Sequence, residues 1–296
     1  MGEIQNNAGF SGWHSRVLAG VLLCIAATDA AWGQCEPVWT QRMDVPAHRR
    51  NHSMAFDSRR GVVVMFAGSG RLQDLWEWEG VEWTFRDLVG PVVRPDLVEM
   101  AFDSARGVMV MREGTNPGAN TWEYDGSQFT LVSSGGPQDA VHYAMAYDAA
   151  RGVTLLWGEG GVGTWSWDGA QWTFLTTGPA EGLYEMTYDS GREVVVMFGV
   201  DAAQGRTLEW DGEAWSLRTT AGPQGRAFHG LAYDERRGVT VLYGGLASPT
   251  TFDDTWEWDG VSWTHRERHA RGPSSARHGL RQPAGRDDPL RRRGRQ

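Results

Sequence analysis

An aromatic residue, an aspartate and, three residues later, an arginine recur five times along this chain. The copies are Phe56-Asp57 with Arg60, Phe102-Asp103 with Arg106, Tyr147-Asp148 with Arg151, Tyr188-Asp189 with Arg192, and Tyr233-Asp234 with Arg237. The steps between the aspartates are 46, 45, 41 and 45 residues. A fixed period of this length means one supersecondary unit copied and stacked.

Each copy has an aromatic second half. Trp76-Glu77-Trp78-Glu79-Gly80 precedes Trp83, and Trp256-Glu257-Trp258-Asp259-Gly260 precedes Trp263. The three copies between them are Trp122 to Gly126 with Phe129, Trp165 to Gly169 with Trp172, and Leu208 to Gly212 with Trp215. The apolar runs, such as Val62-Val63-Val64-Met65-Phe66, are short and β-branched or aromatic, which favours strands. In a strand, Trp76 and Trp78 share one face and Glu77 takes the other. Asp-Gly between two aromatic runs marks a tight hairpin, since glycine accepts positive φ. Asp-x-x-Arg reads as a second hairpin, its carboxylate taking backbone N–H bonds and its arginine reaching back. The recurrence of this pair in every copy assigns it to turn structure, because a catalytic residue breaks a repeat.

One unit is therefore a four-stranded antiparallel meander, a-b-c-d. Radial packing buries such sheets against one another and leaves only short edges. The sequence predicts an all-β propeller of four-stranded antiparallel blades. Five blades are complete over 45–266, with an N-terminal closing strand at 34–44 and a truncated sixth blade. The repeated tryptophans are read as packing groups, each buried ring contributing about 1.5–3 kcal/mol.

These features resemble the kelch-repeat β-propeller family, with the galactose oxidase-like propeller and bacterial secreted kelch-like repeats among its members. The resemblance rests on a strand b ending in glycine (Phe66-Ala67-Gly68, Trp157-Gly158, Phe198-Gly199, Tyr243-Gly244-Gly245), the strand-c aromatic and the strand-d tryptophan. Only the last copy has the family's full double glycine.

Outside the repeat, residues 17–27 form an apolar stretch behind Arg16, followed by Ala31-Trp32-Gly33. Eleven apolar residues fall short of the ~20 that span a bilayer, and the pattern reads as a signal peptide, 1–33, cleaved before Gln34. The expected location is secreted or periplasmic, with no membrane association after cleavage. Cys24 lies in that signal and Cys35 remains alone, which leaves no internal disulfide framework. The chain has no lysine. Residues 266–296 carry ten arginines against three acids, a net of +7, whereas 34–265 carries 17 arginines against 32 acids, a net of −15. So acidic an exported body argues against nucleic acid as a partner.

The arginine-rich tail, 267–296, shows no strand pattern. One synonymous codon assignment for residues 278–293, read one base later, encodes Met-Ala-Tyr-Asp-Ser-Arg-Arg-Gly-Ala-Thr-Thr-Leu-Phe-Gly-Gly-Gly. That is the opening of a sixth repeat, so the tail is read as an out-of-frame remnant of one more blade. Upstream, Val38-Trp39-Thr40-Gln41-Arg42 matches the outer strand Ser262-Trp263-Thr264-His265-Arg266 and reads as the strand that closes the ring.

Candidate chemistry gathers at the axial mouth. Five residues before each turn aspartate stand His52, Val98, Tyr143, Tyr184 and His229. Two histidines and two tyrosines match the residue types that the resemblance associates with a copper site, yet the cysteine such a site needs is missing from the repeat. His52, Tyr143, Tyr184 and His229 are therefore candidate binding residues, with copper an alternative and no cofactor expected. Glu99 and Glu185 share the next position and read as solvated or arginine-paired carboxylates. No phosphate loop, metalloprotease helix, nucleophile elbow or calcium loop is present. The expected function is a monomeric, non-enzymatic scaffold for a protein or carbohydrate ligand. It would be held by the d–a loops (86–97, 131–141, 174–182, 216–227) and b–c loops (67–73, 112–119, 158–163, 199–206, 245–253). The alternatives are a copper oxidoreductase or lyase at the axis, and a non-functional truncated fragment.

Overall fold

The computed structural model describes residues 46, 49 and 51–267, apart from 69–73, 87–90, 92–97, 114–118, 138–141, 180–181 and 202–203. The signal segment, the expected closing strand at 34–44 and residues 268–296 lie outside the described residues. The chain divides into two compact units, Met1–Arg266 and Glu267–Gln296.

Twenty strands form five sheets, each a four-stranded antiparallel meander in chain order. Blade 1 comprises β1 (Ser53–Asp57), β2 (Val62–Phe66), β3 (Leu75–Trp78) and β4 (Trp83–Arg86). Blade 2 comprises β5 (Val98–Asp103), β6 (Val108–Glu113), β7 (Thr121–Tyr124) and β8 (Phe129–Ser133). Blade 3 runs through β9 (Tyr143–Asp148), β10 (Val153–Gly158), β11 (Gly163–Trp167) and β12 (Trp172–Thr176). Blade 4 runs through β13 (Leu183–Asp189), β14 (Val194–Asp201), β15 (Gln204–Trp210) and β16 (Trp215–Thr219). Blade 5 ends the series with β17 (Gly230–Asp234), β18 (Val239–Ala247), β19 (Thr250–Trp258) and β20 (Trp263–Arg266). The first strands neighbour one another in order: β1 on β5, β5 on β9, β9 on β13 and β13 on β17. The fold is an all-β, five-bladed β-propeller, and the described residues contain no helix.

The core is laid down between blades. Val64 and Phe66 of blade 1 pack against Val98, Met100 and Tyr124 of blade 2. Ala101 and Val110 of blade 2 pack against Tyr143, Met145 and Trp167 of blade 3, and Leu155 and Trp157 of blade 3 against Tyr184, Met186 and Trp210 of blade 4. Alternation along each strand turns one row of side chains to the preceding blade and the other to the following blade.

The turn aspartate does what a short carboxylate does best. Asp57 Oδ1 accepts the backbone N–H groups of Arg59 and Arg60, and Oδ2 accepts Arg60 Nε at 2.6 Å. Arg60 Nη1 then donates to Glu77 of strand c in the same blade. Asp103-Arg106-Glu123, Asp189-Arg192-Glu209 and Asp234-Arg237-Glu257 repeat the relay. Blade 3 has Ser166 where the others have glutamate, so Arg151 turns instead to the carbonyls of Glu193 and Asp211 in blade 4.

The Asp-Gly turns have a second reason for glycine. Gly126 sits at φ +95, and a Cβ there would lie 3.0 Å from the guanidinium of Arg60 in the preceding blade. The same arginine-on-glycine stacking joins Arg106 to Gly169, Arg151 to Gly212 and Arg192 to Gly260.

Two of the loops expected from the sequence are hairpin strands. The b–c connections at 199–206 and 245–253 are largely ladder: β14 and β15 remain paired out to Asp201 and Gln204, and β18 and β19 out to Ala247 and Thr250. A bulge between Tyr243 and Gly245 lets the second of these hairpins bend without losing its pairing.

Candidate functional site

The a–b and c–d turns fall at one end of the blades, while the b–c and d–a connections fall at the other. The turn end repeats the aspartate relay above in four of the five blades. The loop end is where the blades differ.

Of the four residues picked out at the mouth, three are buried in separate layers between blades. Tyr143 (5% exposed) belongs to the packing between blades 2 and 3. Tyr184 lies between blades 3 and 4, edge-on to Trp157 at 5.0 Å. His229 (4% exposed) lies between blades 4 and 5, edge-on to Phe198 at 5.3 Å. Burial, then the Arg226 charge, drive the His229 pKa down to about 3, while the backbone carbonyls of Phe198 and Arg226 oppose the shift. Neither imidazole nitrogen makes a well-aligned hydrogen bond. His52 is half-buried, its pKa lowered by burial and by Arg49. Among the described residues, no group of three or more His, Cys, Asp or Glu side chains is placed to hold a metal ion.

Glu99 and Glu185 depart from their expected solvated or arginine-paired state. They stand on β5 and β13, the innermost strands of blades 2 and 4, and form no ion pair with a described residue. Each retains a narrow window of accessible surface but is enclosed by protein. Ser53 of blade 1 donates a long hydrogen bond, 3.4 Å, to Glu99 Oε2. Burial raises the Glu99 pKa well above that of an ordinary glutamate, and repulsion from Glu185 adds to it. Burial pushes Glu185 up to about 8. Burial thus favours the protonated form of both carboxyls, and Glu185 holds its proton at neutral pH.

The exposed features of the loop end were not singled out in the sequence. Phe228, just before β17, is 58% exposed and held at φ +57. A bulky residue in the left-handed region is a genuine outlier. His142, just before β9, meets its ring edge-on at 6.1 Å, although blade 4 stands between their blades. The two occupy the same repeat position, six residues before the turn aspartate, where the other copies have Asn51, Leu97 and Leu183. Aligning the copies one residue further upstream would have exposed that signal.

Two buried arginines brace this end. Arg49 forms a bidentate pair with Asp74 at 2.6 and 2.9 Å and donates to the Ala67 carbonyl. Arg226 repeats the arrangement with Asp254 and the Gly244 carbonyl. Each aspartate also accepts the indole N–H of the tryptophan two residues on, Trp76 or Trp256. These clamps tie the entrance of blades 1 and 5 to their own b–c hairpins.

A scan against protein-family models finds no match, and no curated protein matches the chain. Among solved structures, a chain of the "Crystal structure of Nidogen/Laminin Complex" is similar with a TM-score of 0.47 and 14% identity. The match covers 70% of this chain and 75% of that one.

Proposed function

We propose that this protein is an exported, non-enzymatic propeller of kelch type whose loop end binds a protein ligand. A propeller is a rigid frame that presents loops, and binding is the general capacity of such a frame. The observation that carries the reading is Phe228, a strained and exposed aromatic anchored by His142 at the centre of the loop end. Exposed aromatic anchors dominate the energetics of protein interfaces. The acidic body suits a ligand with a basic contact surface.

The test is capture of partners from the medium of the producing cells by the immobilised full chain, compared with Phe228→Ser and His142→Ala. Loss of the same captured species in both variants, with Tm unchanged, supports the reading. Capture that is indifferent to both changes overturns it, and selective retention on a glycan array would assign the site to carbohydrate instead. N-terminal sequencing of the exported product, expected to begin at Gln34, tests the export step.

A further inference from the structure

Successive blades are joined by a directional set of bonds. Tyr124 of blade 2 donates its hydroxyl to Glu77 of blade 1 at 3.0 Å. Trp167 of blade 3 donates to Glu123 of blade 2 at 3.3 Å, and Trp258 of blade 5 to Glu209 of blade 4 at 3.0 Å. A second indole follows the same direction: Trp172 to Thr121, Trp215 to Thr164, and Trp263 to Thr207, at 2.7–2.9 Å. In each of these six bonds the leading face donates and the trailing face accepts.

Between blade 5 and blade 1 this set is missing on both sides. Trp78 of blade 1 stands where Tyr124, Trp167 and Trp258 stand, yet its indole N–H is buried without an acceptor. Glu257 of blade 5 takes Arg237 and Arg266 of its own blade, and no described residue of another blade. Thr255 is half-buried, whereas its counterparts Thr121, Thr164 and Thr207 are fully buried, each bonded to an indole. The apolar trailing face follows suit. Val64, Val110, Leu155 and Val196 are all 0% exposed, while Val241 at the same position is half-buried. Ala232 is exposed where Ala101 and Ala146 are buried, and Phe56 on the opposite flank is 56% exposed. β17 does not pack on β1 as the other first strands pack on their neighbours.

We propose that the seam between blade 5 and blade 1 is a docking surface for one further four-stranded antiparallel blade of this same repeat. Such a blade meets both flanks at once. Its leading indoles would reach Glu257 and Thr255, and its strand-c carboxylate would receive the Trp78 N–H. A second copy of the chain offers only one complementary flank per contact, so it would leave an equivalent face open and propagate head to tail. An unsatisfied buried donor such as Trp78 Nε1 carries a cost that the docked blade removes.

The experiment duplicates blade 5, residues 220–266, between Arg266 and Glu267 of the full chain. That segment already fits a trailing face of this kind through Trp258 and Trp263. The extended chain is expected to melt at least ~5 °C above the parent, a shift of the size that one or two new buried bonds and an added apolar layer produce. Trp78→Phe is expected to lower the Tm of the extended chain by about 2–4 °C more than that of the parent, where packing is lost but no hydrogen bond. An unshifted Tm, or an equal cost of Trp78→Phe in both chains, overturns the proposal. So does light scattering that shows the parent as an oligomer dispersed by Ala232→Arg, because the seam would then belong to a second copy.

Discussion

Glu77 of blade 1 and Tyr124 of blade 2 share a hydrogen bond of 3.0 Å across the first blade junction, with the carboxylate fully buried. That carboxylate also accepts from Arg60 and Arg86, so one side chain ties two cations of its own blade to the next blade. The two halves of this arrangement are separable by mutation. Tyr124→Phe removes a single bond and is expected to cost about 1 kcal/mol. Glu77→Gln removes a charge shared by Arg60 and Arg86, which keep Asp57 and Glu79, and is expected to cost about 2–3 kcal/mol through two weakened charge-assisted bonds. Urea unfolding of the two variants checks the ranking, and equal costs would show that the charge pairing is incidental.

The enclosed glutamates predict an inverted pH response. Glu185 keeps its proton in the folded chain up to about pH 8, whereas the unfolded chain releases it near the ordinary glutamate value of 4.5. The unfolded state therefore binds fewer protons between those limits, and this group's contribution to stability falls as pH rises through that window. Glu185→Gln is expected to remove that fall, so the variant gains on wild type steadily from pH 5 to pH 8. Parallel thermal melts across the range check it, and a constant difference in Tm would sink the idea.

His229 predicts the opposite slope on the acid side. Its folded pKa of about 3 lies below the ordinary 6.5, so its stabilising contribution is complete above pH 6.5 and is lost as pH falls toward 3. His229→Gln, which cannot take up a proton, is expected to lose less stability than wild type between pH 6.5 and pH 4. Acid unfolding followed by tryptophan fluorescence gives the comparison.

Glu193 predicts a gain. Four of the five aspartate turns close with glycine at φ +66 to +73, namely Gly61, Gly107, Gly152 and Gly238, while Glu193 holds φ +56 at the same place. Its role toward Arg151 runs through the backbone carbonyl, which glycine keeps. Glu193→Gly is expected to stabilise the chain by about 1 kcal/mol through relief of the left-handed conformation. A Tm at or below that of wild type would show that the side chain has a compensating partner.

The blades were legible because their signals are local and repeated. An alternating Trp-Glu-Trp followed by Asp-Gly dictates strand, turn and facing side within one short segment, and five copies average out the exceptions. The b–c connections of blades 4 and 5 were harder to read. Glycines and short polar residues around 199–206 and 245–253 look like loops, but backbone pairing between facing strands tolerates them. Glu99 and Glu185 were read from residue type, and type favours solvent. Their state depends on facing a space that only the assembled inner strands create. Arg49 and Arg226 were missed for a related reason, since each finds its aspartate more than twenty residues away on its own hairpin. Phe228 had no signal in its own segment, because its exposure follows from a backbone conformation that few sequences announce.

Every indole or phenol that crosses a described junction reaches back to a blade earlier in the chain. A polypeptide made from its N-terminus therefore lays down the partner of each such ring before the ring itself leaves the ribosome. Each new blade, as it forms, caps the polar groups of the one already made. The order of synthesis and the order of closure become the same process.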